Sequence, residues 1–209
     1  RDLSECAYRQ MEIAAEYFNE QNVIVPKEGF WGFIDWTEGL DKQCGIQGVY
    51  IYCAKKVKKI AEILGDVKRI SQMEEEIQKK TQAAWEHLYD QEQGLFVSGE
   101  EHQINYANQV WMILAGVAEQ KQAGEILARV IEMEPEKGMV SPYMNHHFVE
   151  ALLQCGKKQQ AMDYMKYYWG GMLGHGADTF WELYNPKNPA ESPYGSSIVN
   201  SYCHAWSCT

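Results

Sequence analysis

Positive charge is in short supply along this chain: 19 Lys and Arg face 29 Asp and Glu over 209 residues, a net charge of −10. Nucleic acids are held by clustered cations, so a nucleic-acid partner is disfavoured. Long apolar runs are missing too. No stretch approaches the ~18–20 uninterrupted apolar residues of a membrane-spanning helix. The opening Arg1-Asp2-Leu3-Ser4-Glu5 also lacks a signal peptide's basic and then apolar layout, so no membrane partner is expected. The six cysteines (Cys6, Cys44, Cys53, Cys155, Cys203 and Cys208) contain no C-x-x-C and no histidine spacing typical of a zinc site. Neither a structural metal nor a redox pair is therefore suggested. Free thiols, as in a reducing compartment, are the plainer reading, which leaves the compartment open with the cytoplasm slightly favoured. The P-loop, dinucleotide, nucleophile-elbow and zinc-protease signatures are absent, as is a D-x-D-x-D-G calcium loop, and no cofactor is expected.

What is present is apolar and aromatic: 45% hydrophobic and 12% aromatic residues, enough for a sizeable core in one domain or two. The chain opens on Arg1 and stops at Ser207-Cys208-Thr209 inside an apolar segment, which predicts a piece excised from a longer protein. Leu3, Ala7, Met11, Ala14, Ala15 and Phe18 fall at helical spacing and predict a helix over 3–18. A loop with Pro26, Gly29 and Gly32 follows, carrying Phe30-Trp31-Gly32-Phe33-Ile34-Asp35-Trp36. Helical spacing then resumes and runs to Leu64, where Gly65 is a C-cap and Asp66 the next N-cap. A helix over 67–89 carries Glu74-Glu75-Glu76 and Lys79-Lys80, read as i,i+4 pairs on a solvated face. Residues 90–99 read as a turn with a short extended piece. Helices are predicted over about 104–119, 121–133, 143–155 and 157–169, and short breaks between them imply antiparallel neighbours. Beyond Gly170 the pattern dissolves into a glycine- and proline-rich section until a helix restarts near Ser196, for about eight helices in all. No strict repeat is visible. A succession of helical hairpins with two long aromatic loops fits best, and long loops in a compact helical protein are usually functional.

Three constellations carry chemistry. In the first, Trp31, Asp35 and Trp36 put flat indole faces beside a carboxylate, which suits a sugar's C–H faces and hydroxyls; the alternative is a loop plugged onto the core by its aromatics. In the second, Thr179-Phe180-Trp181-Glu182, a carboxylate between bulky aromatics is partly desolvated and suited to acid or base work; the alternative is a glutamate at a helix start paired with a lysine. In the third, Tyr202, His204 and Trp206 alternate, sharing one face of an extended segment or spreading around a helix. His146-His147 is read as no metal pair, since adjacent side chains on a helix do not face each other. Asn105, Asn108 and Gln109 open a helix and are read as capping residues rather than ligand contacts.

The order F-I-D-W, a Leu-Gly-Asp break, D-x-E-x-G-L-F-V, a helix opening Ser-Pro-Tyr-Met, then W-G-G-M-L, T-F-W-E and S-Y-C-H-A-W-S resembles the C-terminal part of the catalytic domain of bacterial α-L-rhamnosidases, glycoside hydrolase family 78. The resemblance covers nearly the whole chain. It implies an all-α fold, an (α/α)6 barrel of the six-hairpin glycosidase type. Here the barrel would be incomplete, with residues 1–209 a single domain lacking upstream hairpins and accessory β-sandwich domains. It also implies an inverting two-carboxylate mechanism that removes terminal α-L-rhamnose from glycosides or polysaccharides. The T-x-W-E motif places the general base on Glu182. Trp181 would wall the pocket, Asp35 and Trp36 would contact the sugar, and His204 would bond a hydroxyl or the Glu182 side. The family's acid lies in an upstream D-C-P-x-R-x-E segment, which this sequence does not contain. The expected partners are therefore a rhamnoside and the remainder of the catalytic chain, and this chain alone should hydrolyse nothing. The alternatives are another six-hairpin glycosidase, or a non-catalytic helical module that binds carbohydrate or a partner.

Overall fold

The computed structural model describes residues 3–27, 29 and 32–208. Seven α-helices lie among them: α1 (Ser4–Ala15), α2 (Gln43–Leu64), α3 (Val67–His87), α4 (Tyr106–Leu114), α5 (Gln120–Met133), α6 (Pro142–Gln154) and α7 (Lys158–Gly174). A two-stranded hairpin, β1 (Tyr89–Asp90) with β2 (Leu95–Phe96), separates α3 from α4. Local chemistry marks the ends. Gly65 takes the left-handed conformation at φ 72° to close α2, and the Asp66 side chain accepts from Arg69 N to open α3. Asn105 caps α4 through Asn108 N, and Ser141 caps α6 ahead of Pro142.

Four predicted elements are corrected, the first being the helix expected over about 104–119, which spans only Tyr106–Leu114 ahead of Gly116 at φ 62°. The helix expected to follow Trp36 starts only at Gln43, because residues 37–42 spend their polar groups on other loops. The helix expected to end near 169 runs on to Gly174 through the glycine pair. A Cβ on Gly171 would lie 2.6 Å from the Tyr184 hydroxyl, so this helix face admits only glycine against that ring. The helix expected from Ser196 is replaced by two single 3₁₀ turns, Ser197–Val199 and Ala205–Ser207.

The helices pair as antiparallel hairpins α2–α3, α4–α5 and α6–α7, and α4 packs between α2 and α6. This makes an inner row (α2, α4, α6) backed by an outer row (α3, α5, α7), an arc of the expected incomplete helical barrel. Eight of the nine residues of α4 are buried, as its central place demands. A Cβ on Gly48 would come within 2.8 Å of the Trp111 backbone, so α2 and α4 meet at a closeness only glycine permits. The main core runs through Ile51, Phe96, Met112, Leu127, Met144 and Leu152, and α1 adds a smaller cluster of Tyr8 and Met11 on Tyr50, Ala54 and Met73.

Buried carboxamides tie irregular segments to this core. Gln109 accepts from Phe96 N and donates to Phe96 O, bonding β2 as a further strand would. Gln47 accepts from Ile24 N and donates to the carbonyls of Asn22 and Lys80. The solvated face expected around Lys79-Lys80 holds for Lys79, paired with Glu75, but not for Lys80, which is 4% exposed. Its stem is covered by the 17–24 loop: the ammonium lies 4.5 Å from the Phe18 ring centroid, donates to Asn22 Oδ1 and pairs with Glu76. No helix among the described residues is long and apolar enough to cross a membrane.

The loops that precede the three inner helices are bonded to one another. Ser98 Oγ donates to Asp41, Gln103 accepts from Asp41 N and donates to Gly39 O, Asn105 donates to Asp41 O, and the amides of Val140 and Ser141 donate to Asp35. These loops gather at one end of the arc, where the candidate site lies.

Candidate active site

Asp35 leads the first aromatic loop into this end. Its carboxylate is 2% exposed. Oδ1 accepts from Ser141 N at 2.8 Å and from Ser141 Oγ, and Oδ2 accepts from Val140 N at 2.9 Å and Thr37 Oγ1 at 2.6 Å. A carboxylate offers about four lone-pair sites; three are spent on the N-terminus of α6, where a negative charge also meets the favourable end of the helix dipole, and the fourth on Thr37 of its own loop. Burial pushes the Asp35 carboxyl above its ordinary value, opposed by the four hydrogen bonds that favour the ionised form. The expected sugar contact is corrected accordingly: Asp35 presents no free acceptor to a ligand and instead holds the loop against α6.

Glu182 sits in a different setting. Residues 179–182 run beside the chain end: Glu182 N donates to Ser201 O, His204 N to Phe180 O, and Trp206 Nε1 to Glu182 O. The carboxylate is 6% exposed. Oε1 accepts from the Tyr194 hydroxyl at 2.6 Å and Oε2 from Ser201 N at 3.0 Å, so each oxygen has one donor and keeps one acceptor site. The helix-start alternative fails, because this segment is not helical and no lysine among the described residues pairs with Glu182.

Around Glu182 lies a connected set of rings. Phe33 stacks on Trp206 at 5.1 Å and meets Trp36 edge-on at 5.0 Å; His204 lies 4.2 Å from Trp206, and Tyr194 meets Trp36 at 5.8 Å. Two enclosed polar atoms in this set, Trp36 Nε1 and His204 Nδ1, have no hydrogen-bond partner among the described residues. An enclosed polar atom left unpaired costs on the order of 1–3 kcal/mol. Flat rings, two unpaired polar atoms and a carboxylate with spare acceptor sites are what a sugar's faces and hydroxyls require.

Over residues 3–209 the chain matches the family model described as bacterial alpha-L-rhamnosidase 6 hairpin glycosidase domain. The chain belongs to this family. Among solved structures it is similar to a rhamnosidase from Klebsiella oxytoca with rhamnose bound: 41% identical, TM-score 0.94, covering 99% of this chain and 40% of that one. It also shares its fold with a GH78 family rhamnosidase of Bacillus sp. GL1, at 19% identity and TM-score 0.83, covering 99% of this chain and 22% of that one. The chain thus spans less than half the length of either rhamnosidase. No curated protein matches it.

Within this rhamnosidase-family domain, the five residues expected from sequence are not all brought together. Trp36, Glu182 and His204 share one cluster, joined through Tyr194 and Trp206. Asp35 stands behind it as an anchor. Trp181 packs on the other side, against Tyr202 at 5.1 Å and Tyr184 at 6.2 Å, beside Tyr168 and Met172 of α7. Trp31, expected beside Trp36, lies outside the described residues. Of the alternating trio, His204 and Trp206 pair, whereas Tyr202 turns to Trp181 and donates to Ser197 O. Sequence reasoning missed Tyr194, whose only signal was a Pro-Tyr-Gly turn twelve residues beyond Glu182, and Phe33, which bridges the two tryptophans.

Two further groupings lie apart from Glu182. His146 and His147 do meet, with ring centroids 5.1 Å apart. Together with Glu150 they place one ligand atom each within 4.8 Å of the others, because one helix turn returns Glu150 to both. His147 is wedged between Trp111 and Tyr143, and this burial depresses its pKa below the ordinary value. A cavity of about 580 Å³ opens between α5 and α7, lined by Tyr106, Phe148, Tyr164, Glu134, Asn185 and Glu191. Neither Glu182 nor Trp36 lines it, so its volume carries no argument about their chemistry.

Proposed function

We propose that the polypeptide carrying this chain is an inverting glycosidase that removes terminal α-L-rhamnose from glycosides or polysaccharides, with Glu182 as general base. Residues 1–209 would form the C-terminal portion of a single catalytic barrel. The observation that carries the reading is the buried Glu182, linked through Tyr194 to Trp36 and through its backbone carbonyl to Trp206 and thence His204, with one acceptor site free on each carboxylate oxygen. Such a carboxylate can take the proton of a water while the water attacks the anomeric carbon on the face opposite the leaving group. The acid that protonates the leaving oxygen would stand ~6.5–9.5 Å away, supplied by the rest of the catalytic chain. In this reading Trp36 and Trp206 wall the sugar, and Trp36 Nε1 and His204 Nδ1 bond its hydroxyls. Asp35 acts at one remove, by fixing the loop that carries Trp36.

The test uses the full-length polypeptide and an aryl α-L-rhamnoside, with the released anomer followed by NMR. Wild type is expected to release β-rhamnose first, and Glu182→Gln to lose about 10³-fold in rate, within the range of general acid–base help, with the fold intact. Hydrolysis of a different glycoside would replace rhamnose but keep the carboxylate's role. Full activity of Glu182→Gln would remove that role altogether.

A further inference from the structure

Residues 185–200 form a strap over the Glu182 end of the arc, and the strap is tied chiefly to itself. Asn185 Nδ2 donates to Glu191 Oε2 at 2.6 Å, Ser192 Oγ to Asn200 Oδ1 at 2.6 Å, and Asn200 Nδ2 to Glu191 O at 3.2 Å. At its far end the turn Pro193-Tyr194-Gly195, with Gly195 at φ 81°, delivers one side chain back to the site. That side chain is Tyr194. It is 49% exposed, yet its hydroxyl reaches Glu182 Oε1 and its ring edge rests on Trp36. Among the described residues, Tyr194 is the one side chain that donates to the Glu182 carboxylate; the other donor, Ser201 N, is backbone.

The geometry points to Tyr194 as a positioning residue that fixes the Glu182 carboxylate and aims it for base catalysis. This rests on the reading of Glu182 as the base. The bond fixes one oxygen, leaving its remaining acceptor site and that of Oε2 as the places where a water can be held. Because Trp36 contacts the same tyrosine, the strap links the sugar-stacking surface to the base. The Glu182 carboxylate in turn pushes the Tyr194 phenol above its ordinary range, so the phenol stays a donor wherever the base works.

The test compares wild type, Tyr194→Phe and Glu182→Gln as full-length polypeptides, reading kcat and KM separately for an aryl α-L-rhamnoside, together with Tm. Tyr194→Phe keeps the ring on Trp36 and removes only the donor. It is expected to lower kcat roughly tenfold with KM and Tm little changed, the pattern of an interaction that acts on the transition state. A merely structural tyrosine would lower Tm or raise KM and leave kcat of the folded enzyme unchanged, and that result would overturn the inference while leaving Glu182 as base. Full activity of Glu182→Gln would overturn both. Should Tyr194→Phe fail to fold, 3-fluorotyrosine at position 194, a stronger donor of nearly the same shape, is expected to change kcat with KM unmoved; an unchanged kcat there counts against the inference equally.

Discussion

Asp35 and Glu182 are both enclosed carboxylates that adjoin a tryptophan in sequence, and both stand at the same end of the helical arc. The difference lies in how much of each is already spent. Asp35 accepts four hydrogen bonds, three of them from Val140 and Ser141 at the head of α6. Glu182 accepts two. A saturated carboxylate is a structural joint, because any new donor must displace an existing one. A half-saturated carboxylate in an aromatic enclosure has room for a reacting water. Burial alone does not separate the two carboxylates; the count of donors does.

The comparison can be broken by exchanging effects between the two sites. The largest expected effect is the Glu182→Gln loss of about 10³-fold in rhamnoside hydrolysis with stability changed by less than about 1 kcal/mol, since the amide can still meet Tyr194 and Ser201. Asp35→Ala should do the reverse. It strands the amides of Val140 and Ser141 and should cost on the order of 3 kcal/mol in urea denaturation, with activity falling only as far as the folded population falls. A rate loss as large as that of Glu182→Gln in still-folded Asp35→Ala would erase the distinction. Smallest is Thr37→Val, which removes one of the four donors to Asp35. About 1 kcal/mol of stability should be lost, with an unchanged pH profile.

Helical spacing, the Gly65-Asp66 break, the turn with a short extended piece after Asp90 and the cap at Asn105 were legible because each rests on contacts within a few residues. Glu182, Trp36 and His204 were legible by resemblance, through short motifs. What escaped depends on distant partners. Asp35 reads as a surface ligand contact until Val140 and Ser141, more than a hundred residues on, are seen to saturate it. Lys80 reads as a solvated charge until the 17–24 loop covers it. Residues 37–42 carry helical spacing but spend their polar groups across loops, and the segment after 175 is organised by Glu182, Tyr194 and Trp206 rather than by any period of its own.

The buried glutamines of the inner helices bear on how the molecule opens in solution. Because Gln47 and Gln109 grip the amides of Ile24 and Phe96 from inside the core, releasing those amides to deuterium requires α2 or α4 to come apart. These two positions, though outside the helices, are expected to exchange as slowly as mid-helix amides. The 185–200 strap, knotted mainly by its own side chains, is expected to exchange orders of magnitude faster. The slowest-exchanging unit of this domain would then include pieces of irregular chain, and its fastest would be the segment that brings Tyr194 to Glu182.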